Sequence, residues 1–252
     1  MSVETDPYAV SAPFIDPLIA GFWEGVAPSL TAELTGLTAG SGPVVDLGAG
    51  SGRGVRVIGT ALPGVPVVAV EPSAAMRTAL FARLVDDPGL AARTTVVAAD
   101  ALAVELPAAT RAVVAMNVLG HLAPAERARL WRRVAERLAP GGALLVNNQP
   151  PHAPSAVPLA RGNAFRVGDH DYEGWVRAEP AGEDRILWHM TYKTLQGGRC
   201  VAEVAVDYDW WVVTDERLRA EWSAHGPTAR VAGTGPSAFH VVTAAPDGAP
   251  AR

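Results

Sequence analysis

Short apolar runs and longer amphipathic segments alternate along the middle of the chain. Runs at 44–47, 65–70, 94–99, 112–116 and 143–147 have the length and composition of buried strands. Segments at 53–62, 74–84 and 123–138 between them have helical spacing, and Pro140-Gly141-Gly142 ends the last one. Alternation of strand and helix predicts an α/β fold, a doubly wound and mostly parallel sheet.

The pattern changes after residue 150. Three stretches with period-2 alternation follow one another without a helix between them, Tyr172–Glu179, Arg185–Leu195 and Val201–Val213. They predict an antiparallel β insertion over 151–213. A helix over 215–225 and strands at 229–232 and 239–244 then complete a seven-stranded sheet with an antiparallel final pair. The predicted core domain is therefore 41–150 together with 214–246.

Two strands of the insertion meet at Gly197-Gly198. A two-residue turn at these glycines would place Tyr192 opposite Glu203, whereas a shift by one residue pairs apolar with apolar side chains. We therefore predict an odd loop, 196–198 or 197–199. In the second register His189 faces Asp207.

The first 40 residues predict a helical segment. Asp16-Pro17 has the form of a helix start, an apolar stripe runs from Leu18 to Leu30, and Pro28 predicts a break into two short helices. Aromatic side chains are frequent here, including Tyr8 and Trp23. They either cap the core or form a lid that closes over a ligand and excludes water.

The chain has one glycine-rich turn, directly after the first strand: Asp46-Leu47-Gly48-Ala49-Gly50-Ser51-Gly52-Arg53-Gly54. Glycine lets the backbone turn with positive φ and approach a ligand closely. A dinucleotide fingerprint would need glycine where Arg53 stands. The pattern Asp-x-Gly-x-Gly-x-Gly instead resembles motif I of the class I S-adenosyl-L-methionine (SAM) methyltransferases; a glycine turn of another α/β protein is the alternative.

Polar residues stand at the ends of the next three predicted strands: Glu71, Asp100 and Asn117. A carboxylate at the end of strand two can accept both ribose hydroxyls of a nucleoside. The resemblance implies that Asp100 and Ala101 hold the adenine, and that Met76 packs on it, although Met76 also fits a helix core. The predicted cofactor-binding residues are Asp46, Gly48, Ala49, Gly50, Glu71, Pro72, Met76, Asp100, Ala101 and Asn117.

His121, in Gly120-His121-Leu122 after strand four, is the candidate catalytic residue. It is either a general base for the methyl acceptor or a structural histidine. This turn and the β insertion resemble the layout of sugar N,N-dimethyltransferases and glycine N-methyltransferase-like enzymes. The resemblance implies a SAM-dependent methyltransferase that acts on an O or N atom of a small molecule, a specialised metabolite, and releases S-adenosyl-L-homocysteine. The alternatives are a non-methylating rearrangement on the same fold and a non-catalytic SAM-binding partner.

Six side chains are candidates for binding the acceptor: Tyr8, Trp23, Asn148, Trp175, His189 and Trp210. Each has a plainer alternative. His189 forms a base dyad with Asp207 or an ordinary cross-strand pair, the amides at 147–149 bind substrate or connect loops, and the tryptophans line a pocket, a homodimer interface of the insertion or a core.

Composition narrows the class of protein further. The 252 residues carry a net charge of -5, and no Asp/Asn-Pro-Pro-Tyr signature follows strand four, which argues against a nucleic-acid substrate. We interpret the arginines at 127–137 as a solvated helix face. The one cysteine and the histidine spacing predict neither a disulfide nor a metal site. With no apolar segment of a signal or membrane span, we expect a cytoplasmic protein.

Overall fold

The computed structural model describes residues 6–37, 41–223 and 228–243. Seven strands form the main sheet: β1 Val44–Leu47, β2 Val67–Val70, β3 Thr94–Val97, β4 Thr110–Ala115, β5 Leu138–Val146, β10 Thr228–Ala232 and β11 Phe239–Thr243. Their spatial order is β10-β11-β5-β4-β1-β2-β3. The first five strands are parallel, and β11 runs antiparallel to β5. The predicted doubly wound, seven-stranded fold is confirmed.

Five helices cover the two faces of this sheet or connect its strands: α3 Arg53–Ala61, α4 Ala74–Val85, α5 Pro88–Ala91, α6 Pro124–Arg137 and α7 Asp215–Ser223. Each face has its own apolar core. One core contains Ile58 and Leu80 of α3 and α4, and the other contains Leu130 and Trp222 of α6 and α7. The predicted ends of the last helix at His225 and of the last strand at Ala244 lie outside the described residues.

The prediction of a solvated arginine face on α6 is wrong in part. Arg127 is fully buried, and Arg133 donates to the backbone carbonyls of Ala101 and Leu102. Helical spacing assigned the arginines to a polar side, but α7 and the loop after β3 cover that side.

The N-terminal segment forms α1 Ala12–Leu18 and α2 Ala20–Gly36. The break therefore falls at Ile19, and the predicted interruption at Pro28 is wrong. Pro28 has no amide hydrogen to donate to the Glu24 carbonyl, four residues earlier. Both residues are exposed, so water can hydrate that carbonyl. Burial of Val26 and Leu30 on the opposite side holds α2 together across the proline.

The insertion is a separate four-stranded antiparallel sheet in the order β6-β7-β8-β9. Its strands are β6 Val157–Val167, β7 His170–Pro180, β8 Arg185–Gln196 and β9 Arg199–Trp211. The sequence predicted the last three and missed β6. That strand lies at the edge of the sheet and is exposed over most of its length, so it has no buried face to produce an alternating pattern.

The body of the β8–β9 hairpin has the second predicted register: Tyr192 pairs with Val204, and His189 with Asp207. The predicted odd loop is wrong, because Gln196 pairs with Arg199 across a two-residue turn at Gly197-Gly198. The register shifts by one residue between Thr194 and Leu195. The extra residue that we predicted in the loop therefore lies in a β-bulge beside the turn.

The two faces of the inserted sheet differ in chemistry. Tyr192 and Tyr208 lie on the inner face, which packs on α1, and Phe14 of α1 stacks on Tyr192 at 5.1 Å between ring centroids. The outer face carries cross-strand charge pairs such as Lys193 with Glu203. Among the described residues no helix is long and apolar enough to cross a membrane.

Candidate cofactor and acceptor site

The glycine-rich turn joins β1 to α3 at the carboxyl edge of the sheet. Gly48, Gly50 and Gly52 have φ values of 68°, 56° and 88°, in the left-handed region that favours glycine. Packing adds a second requirement, because a Cβ on Gly48 would lie 2.7 Å from Val118 and one on Gly52 would lie 2.5 Å from Leu80. The turn therefore presents bare backbone at its upper surface, where Gly48 is exposed.

Glu71 ends β2 and reaches across to this turn. Its Oε2 accepts a hydrogen bond from the Gly50 amide at 2.8 Å, and its Oε1 accepts one from the Ser73 amide at 2.8 Å. Burial raises the pKa of Glu71, although both amides oppose the shift. Each carboxylate oxygen has a further lone pair. Two acceptors side by side fit the vicinal hydroxyls of a ribose.

Asp46, the acidic residue of the glycine motif, is buried under the turn. Its Oδ2 has no hydrogen-bond partner in the described part of the chain. Burial, reinforced by the charge of Glu71, raises the pKa of Asp46 to about 8. A cationic group bound near the turn would favour the ionised form, so this orphaned carboxyl fits the positively charged cofactor that the motif implies.

The other predicted adenosine-binding residues lie along the same edge. Met76 is buried in the first turn of α4, with its Cε 3.5 Å from the place of a Cβ on Gly50. Asp100 is exposed beyond β3, and its Oδ1 accepts from the amides of Leu102 and Ala103 at 2.7 and 2.8 Å. Ala49 is buried in the turn, Pro72 is exposed beside Glu71, and Ala101 is half-buried next to Asp100.

Asn117, beyond β4, is the one non-glycine residue with positive φ, 62°, in the described ranges. Its backbone amide donates to Asn147 Oδ1 at 2.6 Å, and Asn147 Nδ2 donates back to Asn117 Oδ1 at 2.7 Å. This reciprocal pair ties the ends of β4 and β5 together and holds the left-handed conformation. Asn117 thus turns the chain toward His121.

His121 ends a single 3₁₀ turn, Leu119–His121, and is enclosed by two aromatic rings. Its Nε2 lies 2.8 Å from Tyr8 Oη, and the Trp210 ring is edge-on at 4.8 Å between centroids. The residue as a whole is nevertheless exposed to solvent. The aromatic surroundings desolvate the ring and lower the pKa of His121 to about 4. The imidazole is therefore neutral at physiological pH and able to accept a proton.

The N-terminal segment is fastened over this edge at several points. Asp16 accepts hydrogen bonds from Arg53 at 2.8 Å and from Arg83 at 2.9 Å, and it also contacts the Ser51 hydroxyl. Burial alone would raise the pKa of Asp16, but these donors lower it below its ordinary value. The predicted helix start at Asp16-Pro17 is wrong, because α1 begins at Ala12 and contains Pro17. The partners of Asp16 are distant in the chain and leave no local pattern in the sequence.

Further contacts bring the N-terminal segment against β2 and the insertion. Ser73 Oγ donates to Asp6 at 2.8 Å, and Ser11 Oγ lies 2.6 Å from Tyr208 Oη. Trp23 lies under the glycine turn, where its ring is 2.9 Å from the place of a Cβ on Gly54. Sequence reasoning missed Ser11 and Tyr208.

Three of the predicted acceptor-binding residues lie elsewhere. Asn148 Nδ2 donates to the Val213 carbonyl and to Asp215 Oδ1, both at 2.9 Å, so this amide connects loops. His189 and Trp175 lie on the outer face of the inserted sheet, where His189 Nδ1 is 2.7 Å from Asp207 Oδ1. Strand alternation is the reason: Tyr192 of β8 faces α1, so His189, three residues earlier, faces away.

Comparison with known proteins defines the class. Residues 45–144 match a family model described as a methyltransferase domain. A search of the curated proteins gives no significant match. The matched segment contains the glycine turn, Glu71, Asp100 and His121. Residues 45–144 therefore match a methyltransferase domain, and the chain as a whole has the class I fold that its sequence predicted.

Solved structures share this fold over most of the chain. DesVI of Streptomyces venezuelae is 17% identical, with a TM-score of 0.75 over 92% of this chain and 96% of its own. The sugar N-methyltransferase KedS8 of Streptoalloteichus is 20% identical, with a TM-score of 0.70 over 88% of each chain. SAM-bound CalS10, an amino pentose methyltransferase of Micromonospora echinaspora, is 18% identical, with a TM-score of 0.71 over 88% of this chain and 91% of its own.

Proposed function

We propose that this protein transfers a methyl group from SAM to an oxygen or nitrogen atom of a small, specialised metabolite in the cytoplasm. The observation that carries the proposal is His121, held neutral between Tyr8 and Trp210 on the sheet edge that also presents the glycine turn and Glu71. A proton acceptor beside a nucleoside site is what methylation of a hydroxyl or a protonated amine needs. The similar structures named for sugar substrates make amino sugars the first acceptors to test.

The residues at the sheet edge divide into two groups by role. Glu71 would hold the ribose, Asp100 and Ala101 the adenine with Met76 and Pro72 beside it, and the turn from Asp46 to Gly50 together with Asn117 the amino-acid end. When bound, SAM supplies a methyl group activated by a sulfonium cation. Toward the acceptor, His121 would take up the proton while Tyr8 and Trp210 exclude water and align the reacting atom. Trp23, packed under the glycine turn, would support the turn instead.

We divide the chain accordingly into a lid, residues 1–40, a SAM-binding core, 41–150 and 214–246, and an acceptor-binding insertion, 151–213. The insertion also offers a homodimer contact. Strand β6 forms an edge of its sheet and leaves Leu159 and Val167 exposed at 64% and 61%. The mass of the protein in solution by light scattering, with Leu159→Glu as the matched variant, tests this contact: a mass of one chain for the wild type rejects it.

The mass of the product tests the proposed reaction. Incubation with SAM and a panel of amino sugars, amines and phenols is expected to add one methyl group to an acceptor and to release an equal amount of S-adenosyl-L-homocysteine. An isomer of unchanged mass would instead support a rearrangement. Tight binding of SAM without turnover of any acceptor would support a non-catalytic partner.

His121→Ala is expected to lower the turnover number about tenfold or more while the Kd for SAM stays within about twofold, because the side chain acts on the acceptor. With the wild-type enzyme and an acceptor that does not titrate in the range, turnover should fall with an acid midpoint near pH 4 rather than 6.5, since only the neutral imidazole accepts a proton. Initial-rate kinetics across pH 3.5–8 measure both.

His189→Ala is the matched control for this experiment, because His189 lies on the outer face of the insertion with Asp207 as its partner. It should leave turnover and SAM affinity unchanged. Wild-type turnover in His121→Ala would reject His121 as the base and leave it a structural role.

Asp16→Asn is expected to loosen the lid. The substitution removes the charge that Arg53 and Arg83 share, and charge-assisted hydrogen bonds of this kind contribute about 1.5–3 kcal/mol each. Hydrogen exchange of the amides at 6–18 and the dissociation rate of SAM should both rise about tenfold. Glu24→Gln, an exposed change on α2, is the control; exchange equal to that of the wild type would show that Asp16 does not fasten the lid.

A further inference from the structure

Arg127 is a buried charge that the proposed reaction does not use. Its side chain has 0% exposure, although it lies in the first turn of α6, on the side of the helix that the sequence assigns to water. The guanidinium donates through Nη2 to Glu221 Oε1 at 2.9 Å and through Nε to Glu221 Oε2 at 3.3 Å. Its remaining arm, Nη1, donates to the backbone carbonyl of Leu122 at 3.0 Å.

Stability does not explain why arginine stands here. A buried ion pair contributes little more than apolar side chains of the same volume, because both charges lose their hydration. The planar guanidinium does have one property that an apolar side chain lacks, since it can hold a carboxylate on one edge and a carbonyl on another in fixed geometry. The contact that calls for arginine is therefore the one from Nη1 to the backbone carbonyl of Leu122.

Leu122 directly follows His121, so its carbonyl is the downstream end of the 3₁₀ turn that carries the candidate base. The upstream end is Asn117, which the amide pair with Asn147 fixes. Glu221 lies on α7, which follows the insertion, and the Trp131 indole donates to Glu221 Oε2 at 2.9 Å and fixes its orientation. Arg127 thus connects the His121 turn to α7 through Glu221, a carboxylate that Arg127 and Trp131 both hold.

We propose that Arg127 is a positioning residue, which holds the turn from Leu119 to Leu122 so that the His121 ring keeps its place between Tyr8 and Trp210. The proposal rests on the proposed function of His121 as the acceptor's base. Displacement of a reacting group by about 1 Å can cost on the order of a hundredfold in rate. Loss of the carbonyl contact would therefore reduce turnover without removing any group that touches the cofactor.

The test is the double variant Arg127→Met/Glu221→Gln. It leaves no buried charge unpaired, and the glutamine oxygen can still accept from Trp131. We expect turnover to fall about tenfold or more, with the Kd for SAM and the KM for the acceptor within about twofold of the wild type. The NMR titration of the His121 ring, assigned by its absence in His121→Ala, should move toward the ordinary pKa as the ring loses its aromatic enclosure.

Two further variants separate positioning from stability. Leu130→Ala removes a fully buried side chain from the same helix, so it should lower the melting temperature while turnover and the His121 titration stay as in the wild type. Arg127→Lys is for use if the double variant does not fold. It keeps the positive charge but loses the planar set of donors that contacts Glu221 and Leu122 together. It should reduce turnover and shift the titration in the same direction.

Wild-type turnover together with an unshifted His121 titration in a folded Arg127 variant would overturn the positioning role. Equal losses of turnover in Leu130→Ala and in the double variant would overturn it as well. Absence of methyl transfer by the wild-type protein would instead reject the proposed function, and the His121 titration would still report whether Arg127 holds the turn.

Discussion

Glu71→Ala is expected to weaken SAM binding about a hundredfold or more. One oxygen of the carboxylate accepts from the Gly50 amide of the glycine turn and the other from the Ser73 amide, and both oxygens have a lone pair left for a hydroxyl donor. Hydrogen bonds to a charged acceptor contribute about 1.5–3 kcal/mol each, and two of them correspond to about two orders of magnitude in Kd or more.

The same substitution also releases the turn itself, because the Gly50 and Ser73 amides lose their acceptor. Glu71→Gln separates the two effects, since it keeps one acceptor oxygen and the length of the side chain. It should show a smaller loss, of about tenfold. Isothermal titration calorimetry with SAM measures each Kd. Glu105→Gln, an exposed glutamate in the loop after β3, is the matched control, and an unchanged Kd for Glu71→Ala would remove Glu71 from the site.

The main sheet, and the edge of it that carries the candidate cofactor residues, could be predicted from sequence because both leave local patterns. A strand buried on both faces is a continuous apolar run such as Val44-Val45, and the residue that ends it falls at the carboxyl edge by topology alone. The left-handed glycines at 48, 50 and 52 are a conformational requirement that the sequence states directly. The order in which the strands lie then brings the glycine turn, Glu71 and Asn117 together.

The surroundings of His121, the candidate acceptor side, could not be predicted in the same way, because the contacts there join residues far apart in the chain. Tyr8 meets His121, Ser11 meets Tyr208, and Asp16 meets two arginines on different helices. No periodicity encodes such pairs. Alternation in the insertion predicted its strands, but it did not indicate which face of them would turn toward α1. That is why His189 and Trp175 were candidates for the site although they lie on the outer face.

Gly120→Ala should damage both stability and turnover, because the turn before His121 has no room for a side chain. A Cβ on Gly120 would lie 1.7 Å from Cε2 of the Trp210 indole, far inside van der Waals contact. Either Trp210 moves, and the end of β9 with it, or the turn moves and carries His121 along. Overpacking of this kind typically costs about 1–3 kcal/mol, and we expect turnover to fall about tenfold or more.

A second substitution identifies which neighbour causes the damage. Trp210→Val removes the indole that occupies the space, so Gly120→Ala/Trp210→Val should regain most of the melting temperature that Gly120→Ala loses, measured by differential scanning calorimetry. Gly21→Ala on α2 is the control, since its Cβ would have no atom within 4 Å. A Gly120→Ala protein with wild-type melting temperature and turnover would contradict the close contact. If the double variant recovers stability but not turnover, the indole itself takes part at the acceptor site, because the space around His121 is then restored while the aromatic wall is absent.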